Sequence, residues 1–144
     1  MTKRYRLTLR KTFENRVVRL LARYGRGPAW RLTTMGRRTG ERRDVMITPV
    51  TIENVDYLVA PYGDVSWVLN LRATDRATLA RGSTTSRVRA VEIHGEEAGR
   101  VLARYYHENR KYVAAYFDLA PEPTVTDFTS VAGSHPVFRV EHPL

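Results

Sequence analysis

The chain of 144 residues contains no cysteine. It therefore has no disulfide, no thiol nucleophile and no cysteine-ligated metal site, and this usage fits a reducing compartment. No apolar run approaches the roughly 20 residues that span a bilayer. The basic N-terminus lacks the continuous apolar core and small-residue cleavage site of a signal peptide. These absences lead us to expect a cytoplasmic protein.

Recognisable catalytic motifs are also absent. The four histidines are scattered and lack the spacing of a metal site, and the acidic residues form no obvious catalytic pair. There is no nucleophile elbow, no Walker loop and no dinucleotide fingerprint. His135, which precedes Pro136 at the start of a predicted strand, is interpreted as structural. We predict no metal site. Because the chain has so few candidate catalytic residues, we favour a protein that binds a cofactor with its own reactivity.

Positive charge is concentrated in the N-terminal third of the chain. The formal net charge is +9, yet 14 of the 24 Lys and Arg residues and only two of the 15 acids lie within residues 1–43. Such asymmetry indicates an anionic ligand, an anionic membrane surface or nucleic acid. The chain offers no zinc finger, RRM motif or aromatic-interleaved basic repeat, so nucleic acid is the least favoured of these partners.

The N-terminal segment has the pattern of a basic amphipathic helix. Between Leu9 and Tyr24 the apolar residues recur at helical spacing, with arginines on either side, and Gly25 to Pro28 ends the pattern. We expect residues 1–28 to form a helical segment and residues 29–144 to form a barrel. The apolar stripe is expected to dock on its own domain or on a second subunit; contact with a membrane interface is the alternative.

The remaining pattern predicts an α+β fold. About six strands, mostly paired in hairpins, alternate with helices, which favours a small, mostly antiparallel β-barrel with flanking helices over a doubly wound sheet. Asp64 is expected to cap the helix that contains Trp67, and Pro49 indicates an edge or bulge position. The strands are predicted at residues 30–35, 44–51, 55–60, 78–80, 84–93 and 135–140.

The stretch from Trp30 to Arg43 is the candidate anion site. It reads as a strand, a turn bracketed by Gly36 and Gly40, and the start of a second strand, and it holds five arginines. Glycines that adopt positive φ would leave the backbone N–H groups of the turn exposed, and arginine adds forked cationic donors for phosphate or carboxylate. A solvated, basic hairpin loop is the alternative interpretation.

Two motifs in this chain resemble those of the deazaflavin-dependent nitroreductase family. The run Leu-Thr-Thr-Met-Gly-Arg-Arg-Thr-Gly-Glu-Arg-Arg over residues 32–43 is similar to its glycine-arginine signature. The second motif is the Tyr-Leu-Val-Ala-Pro-Tyr-Gly run of residues 57–63, followed by Trp-Val-Leu-Asn-Leu-Arg-Ala over residues 67–73. The resemblance extends from about residue 30 to residue 140 and implies the split β-barrel fold of the flavin and deazaflavin oxidoreductases. Homodimers are common in this fold, so the resemblance also implies a homodimer.

The resemblance further implies an oxidoreductase that uses coenzyme F420, rather than FMN, to transfer a hydride from the reduced deazaflavin to an organic acceptor. By motif position, Arg38, Thr39 and Arg43 would hold the phosphate and polyglutamate tail. The deazaflavin ring would lie against Ala60, Pro61 and Tyr62. The residues Trp67, Asn70 and Arg72 would close the site, and Tyr112 or Tyr116 would supply a proton.

An alternative function is a non-catalytic protein that holds a lipid or fatty acid in the barrel and docks on the inner face of the membrane through its N-terminal helix. The turn from Asp64 to Ser66 is shorter than in nitroreductase-like members, and Met46 replaces a usual proline. Both features are typical of the family branch that is linked to lipid-like ligands and membranes.

Overall fold

The structure is a computed structural model that describes residues 29–142 of the chain. The amphipathic helix predicted between Leu9 and Tyr24, and with it the separate segment of residues 1–28, lies outside the described residues.

Seven β-strands form one sheet within residues 29–142. Every pair of neighbouring strands is antiparallel, and the strand order is β2-β1-β5-β6-β7-β4-β3. The strands are β1 (Trp30–Met35), β2 (Arg42–Ile47), β3 (Val50–Ile52), β4 (Val55–Val59), β5 (Arg76–Arg81), β6 (Thr84–Ile93) and β7 (Val137–Glu141).

A short link forces this sheet to curl. β2 and β3 occupy opposite edges of the sheet, yet only Thr48 and Pro49 separate them in the chain. Three peptide steps span at most about 11 Å, so the ends of the two edge strands must lie close together. A flat seven-stranded sheet would place its edges more than twice as far apart, at about 4.8 Å per strand. The sheet therefore closes partway into a barrel.

Three α-helices cover the sheet and create two apolar clusters. They are α1 (Ser66–Thr74), α2 (Gly95–Val113) and α3 (Val125–Val131), with short 3₁₀ turns at Ala114–Tyr116 and Ala132–Ser134. One cluster joins α2 and α3 to β4, β7 and the end of β6, around the fully buried Phe128. The other fills the barrel beneath α1, around Leu32, Leu58 and Leu71. Side chains on opposite faces of β4 and β7 thus pack into different apolar clusters.

The α+β split-barrel prediction is confirmed, with two corrections. The strand predicted over residues 44–51 is two strands, because Pro49 has no N–H for a ladder and the chain leaves one edge there for the other. The prediction that Asp64 caps α1 is wrong. The cap position is Val65, without a side-chain hydrogen bond, and the Asp64 carboxylate instead contacts the Arg72 guanidinium at 3.2 Å.

No helix within residues 29–142 is long and apolar enough to cross a membrane.

The crossing of α2 and α3 depends on Gly99. A Cβ at this position would lie 2.1 Å from Thr129 Oγ1 and 3.0 Å from the Thr129 backbone N and Cα. Rotation of the Thr129 side chain relieves the first contact but not the other two.

We therefore expect Gly99→Ala to lower the free energy of unfolding by up to about 2 kcal/mol, because overpacking costs about 1–3 kcal/mol and the gain in helix propensity offsets ~1 kcal/mol of this. Urea denaturation measures the change. Gly133→Ala is the matched control, since a Cβ there meets nothing within 4 Å. Equal stability of the two variants would show that the crossing tolerates a methyl group.

Candidate functional site

A cavity of about 930 Å³ opens between the turn after β1, the end of β4 and the first half of α1, and α2 lines its far side. This size suits a cofactor or a drug-sized ligand. Nine of the eleven residues that the sequence analysis selected line it, namely Arg38, Thr39, Arg43, Ala60, Pro61, Tyr62, Trp67, Asn70 and Tyr112. The fold thus collects residues from four separate stretches of the chain.

The turn between β1 and β2 is closed by its own hydrogen bonds. Gly36 N–H donates to the Glu41 carbonyl at 2.7 Å, and Gly40 N–H donates to the Gly36 carbonyl at 2.8 Å. Glu41 N–H donates to Thr39 Oγ1 at 3.2 Å. The predicted exposure of the turn's N–H groups is therefore wrong for most of the turn. Of the N–H groups in residues 36–41, those of Arg38 and Thr39 have no acceptor within the described part of the chain.

The two glycines serve different purposes in this turn. Gly40 has φ of +71°, the left-handed region that the sequence analysis expected for both. Gly36 has ordinary backbone angles, but a Cβ there would lie 3.0 Å from Thr39 Oγ1 and 3.3 Å from the Glu41 carbonyl oxygen. Its hydrogen atom in place of a side chain lets the turn pack tightly.

The turn presents cationic side chains to the cavity. The guanidinium of Arg38 has no ion-pair partner among the described residues, and Arg43 pairs with Glu41 at 3.2 Å where both side chains are more than half exposed. Such an exposed pair contributes little and is readily exchanged for a ligand anion. Among the described residues, Asp44 is the one acid on the cavity wall. Its pKa is lowered because the hydrogen bond from Thr33 and the nearby Arg42 outweigh the effect of burial, so it stays ionised.

Asn70 ties this turn to α1. Its side chain is 1% exposed, and its Oδ1 accepts hydrogen bonds from Arg37 N–H and Arg37 Nη1, both at 3.1 Å. Its Nδ2 donates to Thr34 Oγ1 at 3.1 Å. Because the two Arg37 donors require a carbonyl oxygen, the orientation of the amide follows from its partners. The sequence analysis assigned Asn70 to the site but did not predict these contacts.

The segment after β4 forms a rigid wall of the cavity. Ala60 N–H donates to the Pro136 carbonyl at 2.8 Å, and Gly63, with φ of +93°, donates its N–H to the Ala60 carbonyl at 3.3 Å. The Pro61 carbonyl accepts a hydrogen bond from His135 Nδ1 at 2.8 Å. Three hydrogen bonds thus hold the predicted ring-binding segment, two of them from the chain before β7.

His135 is a neutral, buried donor. Its ring stacks on Phe117 with centroids 3.8 Å apart, and burial lowers its pKa, although the hydrogen bond to the Pro61 carbonyl acts in the opposite direction. The proton on Nδ1 is required because a carbonyl cannot donate. His135 is structural, as expected, but its structural role lies at the cavity wall.

One face of α2 supplies the far side of the cavity. Tyr105, Asn109 and Tyr112 follow one another at helical spacing, and all three line the cavity. Burial raises the pKa of Tyr105, with a further contribution from Tyr62, so its phenol stays protonated at physiological pH. The hydroxyl-bearing ring of Tyr112 is 71% exposed at the rim.

The structure does not bring Arg72 or Tyr116 to the cavity. The guanidinium of Arg72 contacts Glu92 at 2.8 Å and Asp64 at 3.2 Å, and these hydrogen bonds raise its pKa. Tyr116 is buried beneath Tyr62, with ring centroids 4.7 Å apart in an edge-on arrangement. Tyr116 therefore packs behind Tyr62 of the wall, whereas Arg72 joins α1 to Glu92 of β6 and to Asp64.

Several cavity residues were missed by the sequence analysis. Tyr105 and Asn109 could have been found from their spacing with Tyr112. Thr34, Ser66 and the apolar β2 residues Val45 and Ile47 carry no signal in the sequence that separates them from ordinary core or surface positions. Across the described part of the chain, no three His, Asp or Glu side chains come together as metal ligands.

Comparisons with known proteins give the same fold and a family. A family profile described as F420H(2)-dependent quinone reductase matches residues 3–124. No curated protein matches the chain. Among solved structures, an F420-H2 dependent reductase (FDR-A) is 24% identical with a TM-score of 0.58, over 79% of this chain and 94% of that one.

Two further structures show how widely the fold is shared. One described as a domain-swapped dimer is 22% identical with a TM-score of 0.58, over 92% of this chain and 96% of that one. Another, described as a pyridoxamine 5′-phosphate oxidase from Listeria innocua, is 10% identical with a TM-score of 0.56, over 92% and 94% of the two chains. The resemblance seen in the sequence is confirmed, although the matching family is described by quinone and not nitro reduction.

The buried His135 predicts a pH dependence of stability. Its pKa in the folded chain lies below the ordinary value of 6.5, so on acidification the unfolded chain takes up a proton first. The stability that the neutral ring contributes is therefore present above pH 6.5 and is lost as the pH falls towards the folded pKa.

We expect the difference in free energy of unfolding between the wild type and His135→Asn to shrink as the pH falls from 8 to about 5.5. Asparagine keeps a donor for the Pro61 carbonyl but does not titrate. Denaturation curves at several pH values measure both proteins. A constant difference across this range would contradict a depressed pKa.

Proposed function

The chain belongs to the F420H(2)-dependent quinone reductase family and is therefore an F420-dependent oxidoreductase, and we propose that it reduces a quinone-like organic acceptor within the cavity described above. The observation that carries this proposal is the arrangement of the cavity walls. The cationic turn, residues 36–43 between β1 and β2, lies at one side of the cavity. The wall from Ala60 to Tyr62 lies at another side, and α2 with Tyr105 and Tyr112 lies at the third. Membership of the family confirms the predictions of an oxidoreductase and of F420 as its cofactor. We propose the acceptor and the roles of the individual residues.

The donors of the site fit a cofactor with an anionic tail. Arg38 and Arg43 border the cavity without a buried acidic partner, and a phosphate or carboxylate group would complete their hydrogen bonding. Thr39 lies between them at the rim. The wall from Ala60 to Tyr62 offers apolar surface and fixed backbone beside which an aromatic ring would lie. Trp67, partly buried against Phe138, borders the same space.

The protein's part in the reaction is orientation and the exclusion of water. When bound, reduced F420 supplies the hydride for a two-electron reduction. The hydrogen bonds that Ala60 donates to the Pro136 carbonyl and that His135 donates to the Pro61 carbonyl hold the wall in one conformation. This limits the geometries that a ring and an acceptor can adopt beside it. The protonated phenol of Tyr105 and the side chain of Tyr62 would enclose the acceptor.

A hydride acceptor also needs a proton, and the two predicted tyrosine donors differ in access to it. Tyr112 borders the cavity and reaches solvent, so its hydroxyl could give a proton and regain it from water. Tyr116 is behind the wall. We therefore assign the proton transfer to Tyr112.

A homodimer is also proposed for this chain, supported by the relative that is described as a domain-swapped dimer. Membrane contact through the N-terminal helix stays a prediction, since that helix lies outside the described residues. Membership of a reductase family favours catalysis over the non-catalytic lipid-binding alternative.

Fluorescence titration with F420 tests the cationic turn. We expect saturable binding, tighter than for FMN, and a loss of about 1–3 kcal/mol in binding free energy for Arg38→Ala and for Arg43→Ala. Their melting temperatures should barely change, because neither residue makes a buried ion pair. Arg87→Ala is the matched control, an exposed arginine on β6 away from the cavity. No saturable F420 binding at micromolar concentration would refute the proposed function.

The proton assignment predicts different effects of two substitutions. Tyr112→Phe should lower kcat about 10²-fold or more while F420 affinity is unchanged, the usual lower bound for loss of a general acid. Tyr116→Phe should leave kcat nearly unaltered. Steady-state reduction of a soluble benzoquinone, followed by the absorbance of reduced F420, measures both. Equal rates of Tyr112→Phe and the wild type would show that solvent supplies the proton directly.

A further inference from the structure

The Thr34 hydroxyl accepts a hydrogen bond but has no acceptor for its own hydrogen atom among the described residues. It lies on β1, its side chain is 2% exposed, and it borders the cavity. Its Oγ1 accepts the hydrogen bond from Asn70 Nδ2 at 3.1 Å. Among residues 29–142, no acceptor receives the hydrogen atom of the Thr34 hydroxyl. A buried hydroxyl usually has a partner for its proton, so this one calls for an acceptor from outside the chain.

The neighbouring contacts fix where that hydroxyl can donate. Asn70 cannot accept from Thr34, because its Oδ1 faces both donors of Arg37 and its Nδ2 faces Thr34. The hydroxyl therefore keeps a lone pair towards Asn70 and turns its hydrogen elsewhere. On one side Thr34 pairs with Arg43 of β2, and on the other side the pairing of β1 with β5 ends one residue earlier, at Thr33. The cavity is the open side.

The series of hydrogen bonds from Arg37 through Asn70 to Thr34 also makes the Thr34 hydroxyl a stronger donor. A cationic guanidinium donates to Asn70, and Asn70 in turn donates to the hydroxyl. Hydrogen bonds arranged in series polarise one another, which makes the last hydroxyl a better donor than an isolated one. Arg37 itself belongs to the cationic turn, so the same amide links the turn to the interior of the cavity.

We propose that Thr34 is a ligand-binding residue, whose hydroxyl donates a hydrogen bond to an oxygen atom of the bound cofactor, and that Asn70 is the positioning residue that aims it. This inference rests on the proposed function, because the ligand is the F420 of that site.

Affinity measurements isolate the hydroxyl. Thr34→Ser keeps it, and we expect its Kd for F420 to stay within about threefold of the wild type. Thr34→Cys replaces one oxygen by sulfur, a poor donor, and should raise Kd about tenfold relative to Thr34→Ser. Thr34→Val should show a loss at least as large. Thr78→Val, the matched control, removes the hydroxyl of a half-buried threonine on β5 that does not line the cavity and should not change Kd.

A chemical probe tests the position independently of affinity. The chain has no cysteine, so Thr34→Cys and Thr78→Cys each carry a single thiol. We expect saturating F420 to slow the reaction of the Thr34→Cys thiol with methyl methanethiosulfonate at least tenfold. The Thr78→Cys thiol, on β5 outside the cavity, should react at the same rate with and without F420. Thermal denaturation of each variant confirms that it is folded.

The outcomes separate this inference from the proposed function. If the wild type binds F420 but Thr34→Cys and Thr34→Val bind it as tightly as Thr34→Ser, the hydroxyl does not contact the cofactor and the inference is wrong. Equal thiol reactivity at position 34 with and without F420 would overturn it in the same way. If the wild type fails to bind F420, the proposed function is wrong and this inference with it.

Discussion

The two-residue link at Thr48 and Pro49 is the constraint on which the rest of the structure depends. It joins opposite edges of a seven-stranded sheet, and the sheet can satisfy it only by curling. The curl brings the end of β2 towards the end of β4, and the cavity lies beside both. A longer link would allow a flatter sheet, in which the cationic turn and the wall from Ala60 to Tyr62 would be too far apart to hold one ligand.

Buried polar contacts then fix the walls that the curl brings together. Asn70 and His135 are each at least 95% buried, and each holds a turn or loop through its backbone. Asn70 holds Arg37 of the cationic turn, and His135 holds the Pro61 carbonyl. Buried polar groups are costly unless they are paired, so these residues favour one arrangement of the two walls over others. The protein thereby prepares a shape, while the reactive chemistry comes from the cofactor.

The arginines near the site fall into two groups, those that border the cavity and one that joins α1 to β6. Arginines at the cavity rim have exposed or no acidic partners, whereas Arg72 is held between Glu92 and Asp64 on the outside of α1. Motif position alone assigned all of these arginines to the site. Their neighbours in space distinguish those that can bind a ligand anion from the one that joins α1 to β6. Such partners come from distant parts of the chain and are invisible in a local motif.

The amino-acid sequence by itself determined the element types, the antiparallel barrel and nine of the residues that line the cavity. Alternating β-branched residues, helical apolar spacing and glycine-proline breaks are local signals, and the two family motifs span the stretches that meet in the site. Tertiary structure alone decided that one predicted strand is two and that most N–H groups of the turn have hydrogen-bond acceptors. It also decided that the side chains of Arg72 and Tyr116 lie outside the cavity. It also decided that Thr34 borders the cavity with a proton to donate. Each of these depends on a partner at least several residues away, because hydrogen bonding and burial are properties of neighbours in space and not of neighbours in the chain.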